Sequence, residues 1–334
     1  MAHVVVIGAG GIGGYFAALL TEHGHAVTLL ARGETLEEMT RSGLRVEEPA
    51  CRSRVVTGVH PVSKLDGVPY ADLVLVCVKS WQVAEAAVQV AQVVAAYTVV
   101  VPVQNGIEAG DRLAAILGAD HAVGGVCTVF ARRTSSATFV RMGDPPSLRI
   151  GSLTGDDSAV DRLKTIAGIL TDAGISTQVS SDIRQDLWRK LMFIASFGGV
   201  AALSDAPAGV VRSQPRTRAL VRTALHEVAT VARAASANIT EADADAALSK
   251  LDESDPDATA SMMRDISAGR PSELYDQTGA VVHYGEWLGV PTPTHTTIYS
   301  ALLPRELRAR GDATEPTWSP PPRCACRVTQ PLSQ

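Results

Sequence analysis

The sequence predicts an α/β domain over residues 1–180 and an all-α domain over residues 181–311, with a Pro-rich tail over 312–334. Three observations carry this reading. Short β-branched apolar runs alternate with helical stretches as far as about residue 180, the pattern of parallel strands joined by helices. Beyond Asp182 the strand signal stops, and apolar residues recur at the helical period to about residue 310. The last segment, DATEPTWSPPPRCACRVTQPLSQ, has no periodicity and reads as a disordered extension.

The chain starts in the run Val4-Val5-Val6-Ile7, a fully buried strand in type, which leads into Gly8-Ala9-Gly10-Gly11-Ile12-Gly13-Gly14. Gly8, Gly10 and Gly13 have the spacing G-x-G-x-x-G. In such a turn Gly8 permits the sharp bend, Gly10 lets the backbone approach a pyrophosphate, and Gly13 lets the next helix pack closely on the strand. The helix then aims its unpaired N–H groups and positive dipole end at the anion, which makes Gly8, Gly10, Gly11, Ile12 and Gly13 candidate cofactor contacts. With 28 glycines in the chain the motif alone is weak, but its context supports it. Residues 12–23 can form a helix, Gly24 can stop it, and residues 25–30 read as a second strand. That order is Rossmann-type. An NAD site places an acid near the end of the second strand, whereas this chain has Ala31-Arg32-Gly33 and no acid between Val27 and Gly33. Arg32 therefore suits a 2′-phosphate and points to NADP, the alternative being a solvated arginine at a strand end.

Further buried strands follow at 72–78 and 98–103, with a helix over 80–94 between them in a right-handed βαβ unit. Residues 121–130 and 147–151 look like two more strands, 157–173 an amphipathic helix, and 175–179 a last strand. The helical part begins with a helix over 182–197 and includes helical stretches at 217–237 and 261–268. No internal repeat is visible.

Composition bounds the function. A chain of 334 residues with 46% hydrophobic content can bury a large core, and its net charge of −5 carries no footprint for nucleic acid or an acidic membrane. Cys51, Cys77 and Cys127 are isolated, and Cys324 and Cys326 sit alone in the tail, so no disulfide framework or metal-ligand set can be read. The apolar runs 93–103 and 191–203 are too short to span a bilayer. With a core strand at the very start leaving no room for a signal peptide, a cytoplasmic protein is expected. Nothing in the chain signals an oligomeric state.

Open α/β sheets bind ligands beyond the carboxyl ends of their strands, where Lys79 and Asn105 fall. Lys79 can pair with an anion or remain a solvated helix-start lysine. Asn105-Gly106 can equally be a simple turn dipeptide. Lys190 lies on the helix over 182–197, about 60° off Leu187 at the edge of the apolar stripe. It can snorkel there, or reach into a cleft where desolvation lowers its pKa toward a value useful in proton transfer.

The chain resembles the ketopantoate reductase (2-dehydropantoate 2-reductase) family over roughly residues 3–310. The matching pieces, in order, are GAGGIGG at 8–14, VKSWQ at 78–82, QNG at 104–106, LWRKL at 187–191, SMMRDI at 261–266, PSELYDQTGAVV at 271–282 and LGVPTP at 288–293. The resemblance implies a Rossmann-type domain joined to a helical one, NADPH as reductant, and reduction of a 2-oxo acid to a 2-hydroxy acid in pantothenate synthesis. It implies that Lys190 is the general acid, that Lys79 and Asn105 line the nicotinamide and substrate cleft, and that Ser261 and Glu273 bind or orient the substrate. The chemistry agrees. Hydride delivery to a ketone leaves alkoxide character on oxygen, which needs positive charge and a proton donor. Glu273, if beside Lys190, would hold the ammonium in place, and Ser261 could donate to the substrate carboxylate. One departure stands out. Asparagines occupy the positions four and eight residues after the catalytic lysine in typical members, whereas here they are Ile194 and Gly198. The expectation is weakened selection for the hydroxyl of ketopantoate. Three functions therefore fit: an NADPH-dependent ketopantoate reductase, a same-mechanism reductase of a less polar carbonyl compound, or a non-catalytic NADP-binding sensor. Retention of Lys79, Asn105, Lys190 and Glu273 speaks against the sensor.

Overall fold

The structure is a computed structural model that describes residues 1–49, 51–155 and 159–321. It opens with β1 (His3–Ile7), α1 (Gly11–Glu22) and β2 (Ala26–Leu30). After α2 (Gly33–Ser42) come β3 (Leu44–Glu48), β4 (Cys51–Val56) and β5 (His60–Val62), then β6 (Leu73–Val76), α3 (Val83–Val90) and β7 (Val99–Pro102). The stretch expected as one helix over 80–94 is a 3-10 turn, α3 and a second 3-10 turn.

A parallel sheet has the order β5-β2-β1-β6-β7. Val4 to Ile7 and Leu73 to Val76 are all buried because both sheet faces are covered, which is why these strands read as unbroken apolar runs. From β1 the chain moves first to one side and then crosses to the other, so the crevice beyond β1 and β6 is the topological switch point. The glycine turn, Lys79 and Asn105 all follow carboxyl ends of these strands.

A second sheet departs from the simple alternation expected. After α4 (Ala109–Leu117), the strands read near 121–130 and 147–151 are parts of a long antiparallel pair, β8 (Gly124–Ser135) and β9 (Thr138–Gly151). With β10 (Ser176–Val179), which follows α5 (Val160–Asp172), the order is β10-β9-β3-β4, with β8 on β9. Periodicity does not reveal β3 and β4, which are short, charged and half exposed. β4 pairs with β3, and the pairing of β3 with β9 spans some 90 residues of sequence (Val46 with Phe139, for instance), so no local signal encodes it.

The rest is helical. α6 (Ile183–Ser204) is capped by Asp182, whose carboxylate accepts from the Gln185 N–H at 3.0 Å. It runs past the expected end near 197 and is buried along most of its length. Around it pack α7 (Ala208–Ser213), α8 (Pro215–Ala234), α9 (Glu241–Glu253), α10 (Ser261–Ser267), α11 (Ala280–Leu288) and α12 (Pro293–Arg310), with a π-helical turn at Tyr275–Gly279. Among the described residues no helix is long and apolar enough to cross a membrane.

The first part of the tail does not fit a disordered reading. Trp318 stacks on His283 at 5.5 Å and its indole N–H donates to Glu108 at 2.8 Å, while Glu315 accepts from the Tyr299 hydroxyl at 2.5 Å. Trp318 also packs against Tyr284 and Trp287, so this aromatic cluster anchors the start of the segment despite the prolines. Residues 322–334, including Cys324 and Cys326, lie outside those described.

Candidate active site

One cleft, about 1330 Å³, joins the switch point of the parallel sheet to the face of α6. At its nucleotide end lies the glycine turn. Gly8 has φ +103°, a conformation that favours glycine, and a Cβ there would come within 3.0 Å of the Val78 nitrogen. A Cβ on Gly10 would meet nothing nearer than 4.0 Å, so its exposed flank faces open space in the cleft. α1 starts with no side-chain cap and no acid in its first turn, which leaves its first N–H groups and dipole for an anion. This cradle fits a dinucleotide pyrophosphate. Gly8, Gly10, Gly11 and Ile12 line the cleft.

Gly13 does not line it. A Cβ at Gly13 would sit 2.0 Å from the Gly8 carbonyl oxygen, so this glycine serves helix-on-turn packing. Gly11 has a second constraint absent from sequence reasoning: a Cβ there would meet the Ala131 carbonyl oxygen at 2.5 Å and Arg132 Cα at 2.6 Å. β8 thus crosses directly over the turn. It brings Arg133, which donates to Thr35 at 2.5 Å, to the same end of the cleft as Arg32. Arg32 itself is exposed and pairs with Glu85 at 3.2 Å. Such a surface pair contributes little and exchanges readily for a phosphate.

At the other end, Asn105 and Glu273 meet. The Asn105 amide donates to Glu273 Oε2 at 3.0 Å. The neighbouring Gly106 makes this possible, because with φ +110° it abuts the Asp276 carbonyl oxygen, which a Cβ would reach at 2.8 Å. Ser80, hydrogen-bonded to Asp276 at 2.5 Å, and Arg112, 2.7 Å from the same carboxylate, fasten the two domains at this point. Glu273 is 7% exposed, and burial raises its pKa against the opposing effects of Lys79, Asn105 and Lys190. It is not a solvated glutamate.

Lys190 is half-buried on α6 and donates to the Cys127 carbonyl of β8 at 2.5 Å. Burial lowers its pKa, partly offset by Cys127 and the Glu273 carboxylate. Among the described residues the two do not form an ion pair, so Glu273 acts on the ammonium through its field while a backbone carbonyl holds it. This corrects the expectation that Glu273 clasps Lys190. Lys79 pairs with Asp265 at 3.2 Å, and Ser261 is exposed at the start of α10 with no hydrogen-bond partner among the described residues. Both line the cleft, as does Ile194.

Gly198 does not line it. It is buried behind the wall, where a Cβ would meet Ala260 at 3.4 Å, Met262 at 3.6 Å and Gln277 Oε1 at 4.0 Å. Sequence spacing missed Gln277, which is 2% exposed yet borders the cleft. The only available signal was its position four residues after Glu273, and the π-helical turn there has no sequence signature.

A parallel-sheet domain with a glycine cradle at its switch point, joined to helices that supply a half-buried lysine, defines a two-domain nicotinamide-dinucleotide oxidoreductase. Residues 4–155 match the ketopantoate reductase PanE/ApbA family and residues 182–306 its C-terminal domain. The chain belongs to the ketopantoate reductase family. It is 27% identical over 329 residues to the 2-dehydropantoate 2-reductase of Mesorhizobium japonicum, covering 92% of this chain and 98% of that one. A PanE/ApbA family ketopantoate reductase from Ralstonia eutropha superposes with TM-score 0.82 at 27% identity, over 92% of this chain and 99% of that one. D-mandelate dehydrogenase in a ternary structure with NADH and anilino(oxo)acetate has the same fold, with TM-score 0.84 at 20% identity and coverage of 92% and 99%.

Proposed function

We propose that this chain uses NADPH to reduce a 2-oxo acid to the 2-hydroxy acid, with 2-dehydropantoate as the substrate, in the cytoplasm. The observation that carries the reading is Lys190, a desolvated ammonium in the cleft that also holds the glycine cradle and the Asn105–Glu273 pair. Two curated relatives, from Mesorhizobium japonicum and Halobacterium salinarum, bear the name 2-dehydropantoate 2-reductase. When bound, the reduced nicotinamide supplies the hydride to C2.

The chain's own residues do the rest. Negative charge grows on the carbonyl oxygen as hydride arrives, and Lys190 Nζ first stabilises that charge and then gives the oxygen a proton. Lowered basicity favours the transfer. Glu273, held by Asn105, keeps negative potential near the ammonium and so limits how far its pKa falls. The free hydroxyl of Ser261 donates to the substrate carboxylate, and Lys79 adds positive charge at that end. Arg32, with Arg133 beside it, takes the 2′-phosphate, which makes NADPH the reductant.

Ile194 supports a second reading, a less polar 2-oxo acid, because it sets an apolar side chain in the cleft wall. Oxidation of NADPH, followed at 340 nm with a panel of 2-oxo acids, tests both. Turnover of 2-dehydropantoate above all others bears out the first reading, turnover of apolar branched acids the second, and turnover of none refutes both.

A further inference from the structure

We propose that Gln277 is a specificity-determining residue of the cleft, its side-chain carbonyl accepting a hydrogen bond from a hydroxyl on the substrate's chain beyond the 2-oxo acid group. The inference rests on the reading of the protein as a 2-oxo acid reductase. Gln277 follows Glu273 by one turn, its backbone N–H donating to the Glu273 carbonyl at 3.0 Å, and both side chains border the cleft. Nε2 faces Glu273 Oε2 at 3.5 Å. That contact turns the nitrogen toward the carboxylate and leaves Oε1 without a donor among the described residues, in a side chain only 2% exposed. Oε1 is not among the sealed, unpartnered polar atoms of the described residues, so it keeps an accessible face to which a ligand hydroxyl in the cleft can donate.

A Cβ at Gly198 would lie 4.0 Å from Gln277 Oε1, so the glutamine amide occupies the side of the pocket that a longer residue at 198 would reach. The wall beside it, Ile194 and Phe197, is apolar. An amide acceptor set beside Ile194 and Phe197 discriminates by the hydroxyl itself, because a substrate lacking it offers the acceptor no donor. Ile194 therefore does not by itself imply a pocket indifferent to polar groups.

The test compares kcat/KM for 2-dehydropantoate with that for 3,3-dimethyl-2-oxobutanoate, which differs only in lacking the hydroxyl. The wild-type ratio is expected at about 10² or more, and Gln277→Leu is expected to cut it by about tenfold or more while retaining turnover of the deoxy substrate. A merely structural role would lower both substrates together and leave the ratio intact. An unchanged ratio in Gln277→Leu overturns this inference alone. Should that variant fail to bind NADPH, Gln277→Asn, which withdraws the amide by one methylene, is expected to reduce the ratio as well. A wild-type ratio within about threefold of unity overturns the inference whatever the variants do. Failure of the wild-type protein to reduce either acid overturns the underlying function and the inference with it.

Discussion

Replacing Lys190 by alanine is expected to lower kcat/KM by about 10²–10⁴, or about 2.7–5.4 kcal/mol of transition-state stabilisation, while leaving NADPH affinity within about threefold. The magnitude follows from its surroundings. Lys190 is half-buried, its pKa is lowered by burial, and its one hydrogen bond to protein among the described residues is to the Cys127 carbonyl at 2.5 Å. A lysine that burial makes less basic contributes little to folding, so the variant's melting temperature is expected to stay near that of the wild type, which separates lost chemistry from lost structure. Lys190→Arg sharpens the test. Arginine keeps the positive charge but holds its proton too tightly to give it up, so it should recover only the electrostatic part of the loss. In the wild type, kcat/KM is expected to decline on the alkaline side at a pH below lysine's ordinary ~10.4, because the donor is lost as pH rises through its lowered pKa. That limb should vanish in Lys190→Ala. A loss of less than about tenfold, or one matched by an equal loss of NADPH affinity, refutes the assignment of Lys190 as proton donor.

Arg32→Asp is expected to reverse or abolish an NADPH preference of at least about tenfold, about 1.4 kcal/mol, measured as dissociation constants for NADPH and NADH. Equal affinities in the wild type would defeat the 2′-phosphate reading. Asn105→Ala removes a donor that lowers the Glu273 pKa, so the acid limb of the kcat/KM profile should move to higher pH, and an unmoved limb would show that Glu273 does not govern it. Because burial raises the Glu273 pKa, its folding contribution is full below the ordinary glutamate pKa of about 4.3 and is lost as pH rises through the folded value. Glu273→Gln should accordingly melt higher than the wild type at pH 7 and lose that advantage on acidification to about pH 4, at the expense of activity. Gly198→Asn forces a longer side chain against Ala260, Met262 and Gln277 and should destabilise by about 1–3 kcal/mol in denaturant unfolding, whereas an unchanged midpoint would mean the wall can give way.

Much of this architecture is legible in the chain because the physics concerned is local. Val4 to Ile7 and the glycines that follow encode a buried strand and a phosphate turn within eleven residues, since the φ of Gly8 and the close approach at Gly13 exclude other side chains there. Arg32 is legible in the same way, as a cation at the end of the second strand with no acid between Val27 and Gly33. Lys190 is recognisable at the edge of an amphipathic stripe because helical periodicity relates residues only three and four apart. Other features depend on partners far along the chain. β3 takes its place in the sheet by pairing with β9, the constraint on Gly11 comes from Ala131 and Arg132 above it, and Trp318 orders its segment only because Glu108 and His283 await it. Within the cleft, Asn105 reaches Glu273 across 168 residues, and Gly198, eight residues after Lys190 on the same helix, lies behind the wall while Gln277 borders the cleft. Periodicity can say which residues share a face of one helix; which of them meets solvent or substrate is set by the neighbouring element packed against that face, and here that element is a π-helical turn whose geometry arises from packing.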